Sequence, residues 1–264
     1  MHALEHASRE DTFHVESHHN MTTSESARII TVAAAKGGVG KTTLAYELAA
    51  GLNGVLVDLD WDAGGATRMW GLDPQGRKRA PLLDGFERGP EGKPPRPLKR
   101  RNQPRLVPAH PDLAASDIAD DLVADCLAAW SGVWDAPRVV VDTHPGANAL
   151  TDGALQAADL VVVPVILGMR ELDALEAMVA DFATYRLLLV PTMVPSIPPR
   201  RLVDRLAEIA GERVTVAAPV REYRFIRRRL RRSALVLQPN PGVQVRAAAE
   251  EFRTVAEHVE VASG

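Results

Sequence analysis

The run Ala35-Lys36-Gly37-Gly38-Val39-Gly40-Lys41-Thr42-Thr43 sets lysines, glycines and hydroxyls directly after the apolar stretch Ile29–Ala35. Glycines let a chain turn sharply out of a strand and into a helix, so that successive backbone N–H groups face a phosphate chain. The positive end of the helix adds to the attraction. In such a loop Lys41 reaches the β- and γ-phosphates and the Thr42 hydroxyl ligates Mg2+. The match to G-x-x-x-x-G-K-[ST] is partial, because position 35 is alanine and a second lysine, Lys36, stands at the head of the loop. The expected chemistry is that of a nucleoside-triphosphate site.

Carboxylates form the second group. Phosphoryl transfer to water needs charge neutralised on the β- and γ-oxygens and a water held in line with the leaving group. Asp58 and Asp60 end the apolar run Gly54–Asp60, and Asp142 ends Arg138–Asp142. Asp58 and Asp142 are candidates for the metal shell. Asp58 and Asp60, two apart at a strand end, could reach both the metal shell and the water, and Asp58 has a structural role as its alternative. His144 follows closely, and its expected role is that of a polar surface residue rather than a proton relay.

Alternating elements must hold these groups. Apolar runs at Arg28–Ala34, Gly54–Asp60, Leu106–Ala109, Arg138–Asp142, Asp159–Val165, Arg186–Val190 and Arg213–Ala217 read as strands. Helical patterns occupy Lys41–Leu52, Ile118–Trp130, Glu171–Phe182, Arg200–Ile209 and Val243–Val259. Such alternation predicts an α/β fold with a doubly wound, mainly parallel sheet and helices on both faces. Residues 72–104 break the pattern with Pro, Gly and basic side chains, and are expected to be an irregular insertion. Residues 1–26 are polar and His-rich, as in a disordered tail, which leaves 27–264 as one domain.

The chain has 264 residues, a formal net charge of −3 and a single cysteine, Cys126, set among Leu122, Val123 and Leu127. One cysteine excludes an intramolecular disulfide and any multi-cysteine metal cluster within a subunit, and its neighbours suggest a buried thiol. No apolar stretch reaches the length of a membrane span, and the N-terminus has no apolar core of a secretory signal. A cytoplasmic location without membrane insertion is expected. Any nucleic-acid contact must come from local clusters. One is Arg221, Arg224, Arg227, Arg228, Arg229, Arg231 and Arg232. On a continuous helix, Arg224, Arg227, Arg228 and Arg231 follow i, i+3, i+4, i+7 and would form one stripe suited to DNA phosphates. The other lies at 77–105, where a solvated loop and a second contact are equally compatible with the composition.

Lys36 to Thr43 resembles the deviant Walker A motif of the ParA/MinD ATPases. Asp58-Leu59-Asp60 is similar to the family's D-x-D segment, which implies that Asp60 rather than Asp58 positions the hydrolytic water, although Trp61-Asp62-Ala63-Gly64-Gly65 replaces the usual continuation. Val139–Gly146 is similar to its switch segment, with His144 where proline is common. Val107–Ala114 and Ala158–Val165 also have counterparts in ParA proteins. The resemblance is nearest to short ParA, Soj-like DNA-partition ATPases.

It implies ATP and Mg2+ as cofactors, with Lys36, Gly37, Gly38, Val39, Gly40, Lys41, Thr42 and Thr43 around the phosphates. Lys36 would cross to the partner of an ATP-dependent homodimer. Thr192, Met193, Pro219, Val220 and Arg221 would border the adenine. Non-specific DNA and a ParB-like partner that triggers hydrolysis are implied, with a nucleoid-associated location. With only a short stretch before the first strand, an operator-reading helix-turn-helix domain of the kind larger relatives carry is not expected. A MinD-like membrane role is the alternative, but the closing segment is acidic and suits anionic lipid poorly. Metal-cluster carriers and tail-anchor chaperones share the resemblance, and the missing cysteines count against cluster carriage.

Overall fold

The computed structural model describes residues 28–34, 36–62, 65–73, 76, 80–228 and 233–264. In chain order the elements are β1 (Arg28–Val32), α1 (Lys41–Gly51), β2 (Val55–Asp58), α2 (Ala66–Trp70) and α3 (Pro81–Arg88). Then come β3 (Arg105–Val107), α4 (Asp120–Val133), β4 (Arg138–Asp142), α5 (Ala149–Gln156), β5 (Leu160–Val165) and α6 (Met169–Asp181). The chain closes with β6 (Leu187–Pro191), α7 (Arg200–Ala210), β7 (Thr215–Val216), α8 (Arg224–Arg227) and α9 (Val243–Ser263). The expected tail at 1–26 lies outside the described residues.

Seven strands form one sheet in the order β3-β2-β4-β1-β5-β6-β7, and every pair is parallel. Parallel strands buried on both faces read as continuous apolar runs, which is why Val139-Val140-Val141 and Val161-Val162-Val163 stood out in the sequence. Alternate residues serve opposite faces. Ile30, Val32, Leu56, Val140, Val162 and Leu188 pack with α1 and α9 in one cluster. Ile29, Val55, Val57, Val139 and Val141 pack towards α4 and α5. Val161, Val163, Leu187 and Leu189 meet Leu172 of α6 and Leu202 of α7. The doubly wound architecture expected from the alternation is the one observed, and Cys126 is buried in the α4 layer.

The register decides where the carboxylates stand. Asp142 of β4 pairs with Val32 of β1 on one side and with Asp58 of β2 on the other. Both carboxylates therefore sit at the C-terminal edge of the sheet, beside the strand that feeds the glycine loop. Ligand sites of open parallel sheets lie at this edge.

The segment 72–104 is not irregular throughout. It contains α3, which begins with Pro81 in its first turn and ends before Gly89. Phe86 of α3 stacks on Trp130 of α4 with ring centroids 5.2 Å apart. Leu98 and Leu106 exchange backbone hydrogen bonds of 2.7 and 3.0 Å, an antiparallel bridge beside β3. The Trp134 indole donates to the Pro95 carbonyl at 3.0 Å. The segment thus covers the sheet edge at β3, where open backbone groups would otherwise invite pairing with another chain.

Candidate functional site

The glycine loop leaves β1 and delivers Lys41 as the first residue of α1. Gly38 and Gly40 have φ of 79° and 92°, in the left-handed region that side chains other than glycine's seldom adopt. Gly40 is the N-cap of α1, so the free N–H groups of the first helical turn open onto the loop. Lys41 is buried, with 5% of its surface exposed. Lys36 is exposed, and its ammonium donates to the Arg170 carbonyl in the first turn of α6 at 3.4 Å. The two lysines of the motif therefore stand in opposite environments.

Asp142 is the less engaged of the two paired carboxylates. Both of its oxygens are buried and close no geometrically complete hydrogen bond, with Lys41 and the Thr42 hydroxyl as their polar neighbours. Burial, then the nearby Asp58 charge, hold its carboxyl well above the ordinary aspartate range, outweighing the pull of Lys41 and the Thr42 hydroxyl. A buried carboxylate with free lone pairs, beside a hydroxyl at the head of a phosphate loop, is the donor set a hard divalent cation requires. Mg2+ fits these residues.

Asp58 differs. Its two oxygens accept from Asp60 N at 3.1 Å and Thr67 N at 2.6 Å. It ties the end of β2 to the first turn of α2, and the Thr67 hydroxyl in turn accepts from Ala109 N at 2.8 Å. Burial pushes its carboxyl up to about 7 despite those bonds. Of the two carboxylates expected near the metal, Asp142 has free oxygens and Asp58 is engaged in holding the loop.

Asp60 is 8% exposed and accepts from Asp62 N at 3.2 Å. Burial raises its carboxyl above the ordinary value, against the opposing pull of the Asp62 amide, His144 and Lys41. His144 is more than a surface residue. Its ring stacks on Trp61 with centroids 4.0 Å apart and planes 4° from parallel. Its Nε2 lies 3.2 Å from Asp62 Oδ2, and its Nδ1 lies 2.8 Å from the Pro145 carbonyl. The loop after β2 and the loop after β4 are thereby joined. No local sequence pattern announces that pair, but the Asp58–Asp142 register sets the two loops side by side.

A cavity of about 290 Å3 opens beside the phosphate loop, lined among others by Gly40, Thr43, Thr192, Met193, Val220 and Arg221. The expected base-site residues gather there, with the exception of exposed Pro219, which is not part of the lining. Thr192 has a further task. Its buried hydroxyl donates to the Val39 carbonyl at 2.9 Å, fastening the glycine loop to the end of β6. Arg221 bonds to Glu251 of α9 through its Nε and, at 2.9 Å, through its backbone N–H. Tyr223 completes the cluster, accepting from Arg221 and donating to Glu251, each at 2.9 Å.

The expected arginine stripe is shorter than a continuous helix would make it. α8 is a single turn ending at Arg227, with Arg228 as its C-cap. Arg224 and Arg228 are exposed, and Arg231 lies outside the described residues. Among the described residues no helix is long and apolar enough to cross a membrane.

A parallel sheet with a glycine loop at its C-terminal edge, Lys41 in the loop and a bare Asp142 beside Thr42 defines a P-loop nucleotide-binding protein. Residues 27–188 match the AAA domain family, and the chain belongs to it, within the ParA/MinD group of deviant Walker A ATPases. It is 33% identical over 181 residues to the chromosome-partitioning ATPase Soj of Thermus thermophilus, covering 63% of this chain and 66% of that protein. It is 31% identical over 156 residues to the chromosome partitioning protein ParA of Myxococcus xanthus, covering 52% of each. The matched stretch thus spans just under two thirds of the first relative and about half of the second. Among solved structures, apo McdA of Cyanothece has the same fold, with a TM-score of 0.69 at 17% identity over 90% of this chain and 100% of that one.

Proposed function

We propose that this protein is a ParA-like, Mg2+-dependent ATPase for DNA segregation, acting as an ATP-dependent sandwich dimer. The observation that carries the reading is the contrast between Lys41, buried in its own loop, and Lys36, exposed at the loop's head. An exposed lysine next to a phosphate site, resting on the Arg170 carbonyl at 3.4 Å, can be released to a second subunit's nucleotide.

Within one subunit, the N–H groups of Gly37 to Thr43 and the Lys41 ammonium hold the phosphates. Thr42 and Asp142 would hold Mg2+, which would supply neutralisation of the charge that develops on the phosphate chain. Asp58 fixes the loop after β2 that carries Asp60. Asp60 accepts a hydrogen bond from the attacking water and orients it. Lys36 reaches the partner's phosphates. Thr192, Met193, Val220 and Arg221 border the base, with Pro219 at the rim of the same loop.

Arg224, Arg227, Arg228 and Arg231 supply sequence-independent contacts to DNA phosphates when the dimer has formed. A ParB-like partner stimulates turnover and release. A MinD-like membrane role is disfavoured by α9, whose surface carries Glu250, Glu257 and Glu260 and so opposes anionic lipid. Co-sedimentation with DNA and with anionic liposomes, each with and without ATP, tests the reading. ATP-dependent retention on DNA alone is expected. Retention on liposomes alone would overturn it.

A further inference from the structure

The two basic regions of the sequence are far apart in the chain but meet in the fold. Asn102, at φ 60° in the left-handed region, gives its carbonyl to Ala234 N at 2.8 Å. Ala234 follows closely on the arginine-rich segment that begins with α8. On the other side, Lys99-Arg100-Arg101 form the tip of the turn that the Leu98–Leu106 bridge closes at its base. Gln103 N donates to the Arg100 carbonyl at 3.3 Å within the same turn.

The turn is firmly mounted. The Arg100 guanidinium lies 4.2 Å from the centre of the Trp70 ring and donates to the Trp70 carbonyl at 3.3 Å. Beneath it, Leu98 from the turn and Phe225 and Ile226 from α8 pack on one core cluster, which also contains Ala234 and Leu235. A loop held in this way presents its charges at fixed positions.

Lys99, Arg101, Arg224 and Arg228 are exposed and make no ion pair among the described residues. Glu251, a nearby acid, is already engaged by Arg221 and Tyr223. Between Arg228 and Ser233 the sequence adds Arg229, Arg231 and Arg232. Neither the turn nor α8 exposes a large apolar side chain that could enter a lipid layer.

We propose that the 99–102 turn and α8 form one cationic surface for a duplex DNA backbone, with Lys99 and Arg101 as phosphate contacts. This rests on the DNA-binding reading above and extends it to the segment at 72–104, which then serves both as an edge cover and as half of the DNA face. Phosphate contacts of this kind set affinity and register without reading bases.

The test measures binding of the full chain, with ATP and Mg2+, to unrelated duplexes across a salt series. Lys99→Glu with Arg101→Glu is compared with Arg224→Glu with Arg228→Glu. The control is Arg200→Glu with Arg201→Glu on α7, which packs on the other face of the sheet. Each of the first two pairs is expected to lose at least about tenfold in affinity, and up to about 1.8 of log–log salt slope per protomer. The control should lose much less, and nucleotide affinity should be unchanged in all three. Lys99→Ala with Arg101→Ala should give a smaller loss in the same direction.

Wild-type affinity and slope in both turn variants, with loss in the α8 variant, would overturn the inference and leave the DNA reading standing. Equal loss in the α7 control would overturn it too, as a mere effect of net charge. No DNA binding by the wild type in any nucleotide state would remove the DNA reading itself, and the inference with it.

Discussion

Asp142 offers the sharpest test, because stability and function should move in opposite directions. Its carboxylate is buried between Val32 and Asp58 in the sheet register, and Lys41 and the Thr42 hydroxyl do not offset the cost of that burial. Leaving a buried polar group unsatisfied costs about 1–3 kcal/mol, and more when it is charged. Asp142→Asn removes the charge without opening a cavity. Without nucleotide or Mg2+, the variant should therefore be more stable than the wild type by about 1–3 kcal/mol. For a chain of this size each kcal/mol moves the melting temperature by about 2–4 °C, so a rise of roughly 2–12 °C is expected.

The pH dependence has a definite sign. Burial and Asp58 raise the folded-state pKa of Asp142 well above its unfolded value. The folded state then binds the proton more tightly, so its advantage is fully present in acid and is lost as pH rises through the folded pKa. The gap between variant and wild type should widen from pH 5 to pH 8. Thermal unfolding followed by circular dichroism, in chelator and then with Mg2+ and ADP, reads both arms. A ligand at a hundred times its dissociation constant stabilises by about 2.7 kcal/mol. The wild type should gain on adding Mg2+ to ADP, and the variant should gain little. If the asparagine variant melts at or below the wild type at pH 8 in chelator, the view of Asp142 as an uncompensated buried charge is wrong.

Other outcomes follow from the same geometry. Lys41→Ala should weaken nucleotide binding by the monomer, while Lys36→Ala should keep it and lose dimerisation and turnover; equal losses by calorimetry would refute the division of labour. Asp60→Ala should retain an ATP-bound dimer on size exclusion with little hydrolysis, and a monomer there would sink its role as water-orienting group. Thr192→Val should cost about 1–2 kcal/mol of stability, because the buried Val39 carbonyl loses its 2.9 Å donor. It should also weaken nucleotide binding, and unchanged affinity would show that the glycine loop needs no such fastening.

The sheet and its phosphate loop were legible because the strands are short apolar runs, and β1, β2 and β4 lead directly into the glycine loop or a carboxylate. Val139-Val140-Val141 before Asp142 is the plainest case. α3 escaped notice because Pro81 and Gly89 bracket so short a helix that composition suggested a loop, although proline first and glycine after the end are helix punctuation. The roles of individual groups were less legible than their positions. Asp58 and Asp142 both end apolar runs, and only the bonds from Asp60 and Thr67 reveal which of them is already engaged. Thr192 falls at the base-site loop as expected, but the direction of its hydroxyl towards Val39 depends on how β6 lies against the loop. The stripe of arginines assumed a continuous helix, and the single turn of α8 shows that spacing alone cannot guarantee one.

The Trp61–His144 stack exists because β2 and β4 are neighbours in register, so that the residues just beyond Asp58 and Asp142 emerge side by side. Any rearrangement of either loop around a nucleotide must shift or break it. Of the four tryptophans, Trp70, Trp130 and Trp134 are buried at 3, 1 and 7% exposure, and Trp61 alone is half-buried. Nucleotide binding should therefore change the intrinsic fluorescence mainly through Trp61. Trp61→Phe should abolish most of that change while keeping a stacked ring against His144. His144→Ala should alter the starting emission, since the contact partner of the indole is gone. The pair contributes about 0.5–1.5 kcal/mol, so neither change should unfold the protein. A full nucleotide-induced signal persisting in the phenylalanine variant would place the moving element elsewhere, nearest to Trp70 and the turn that covers it.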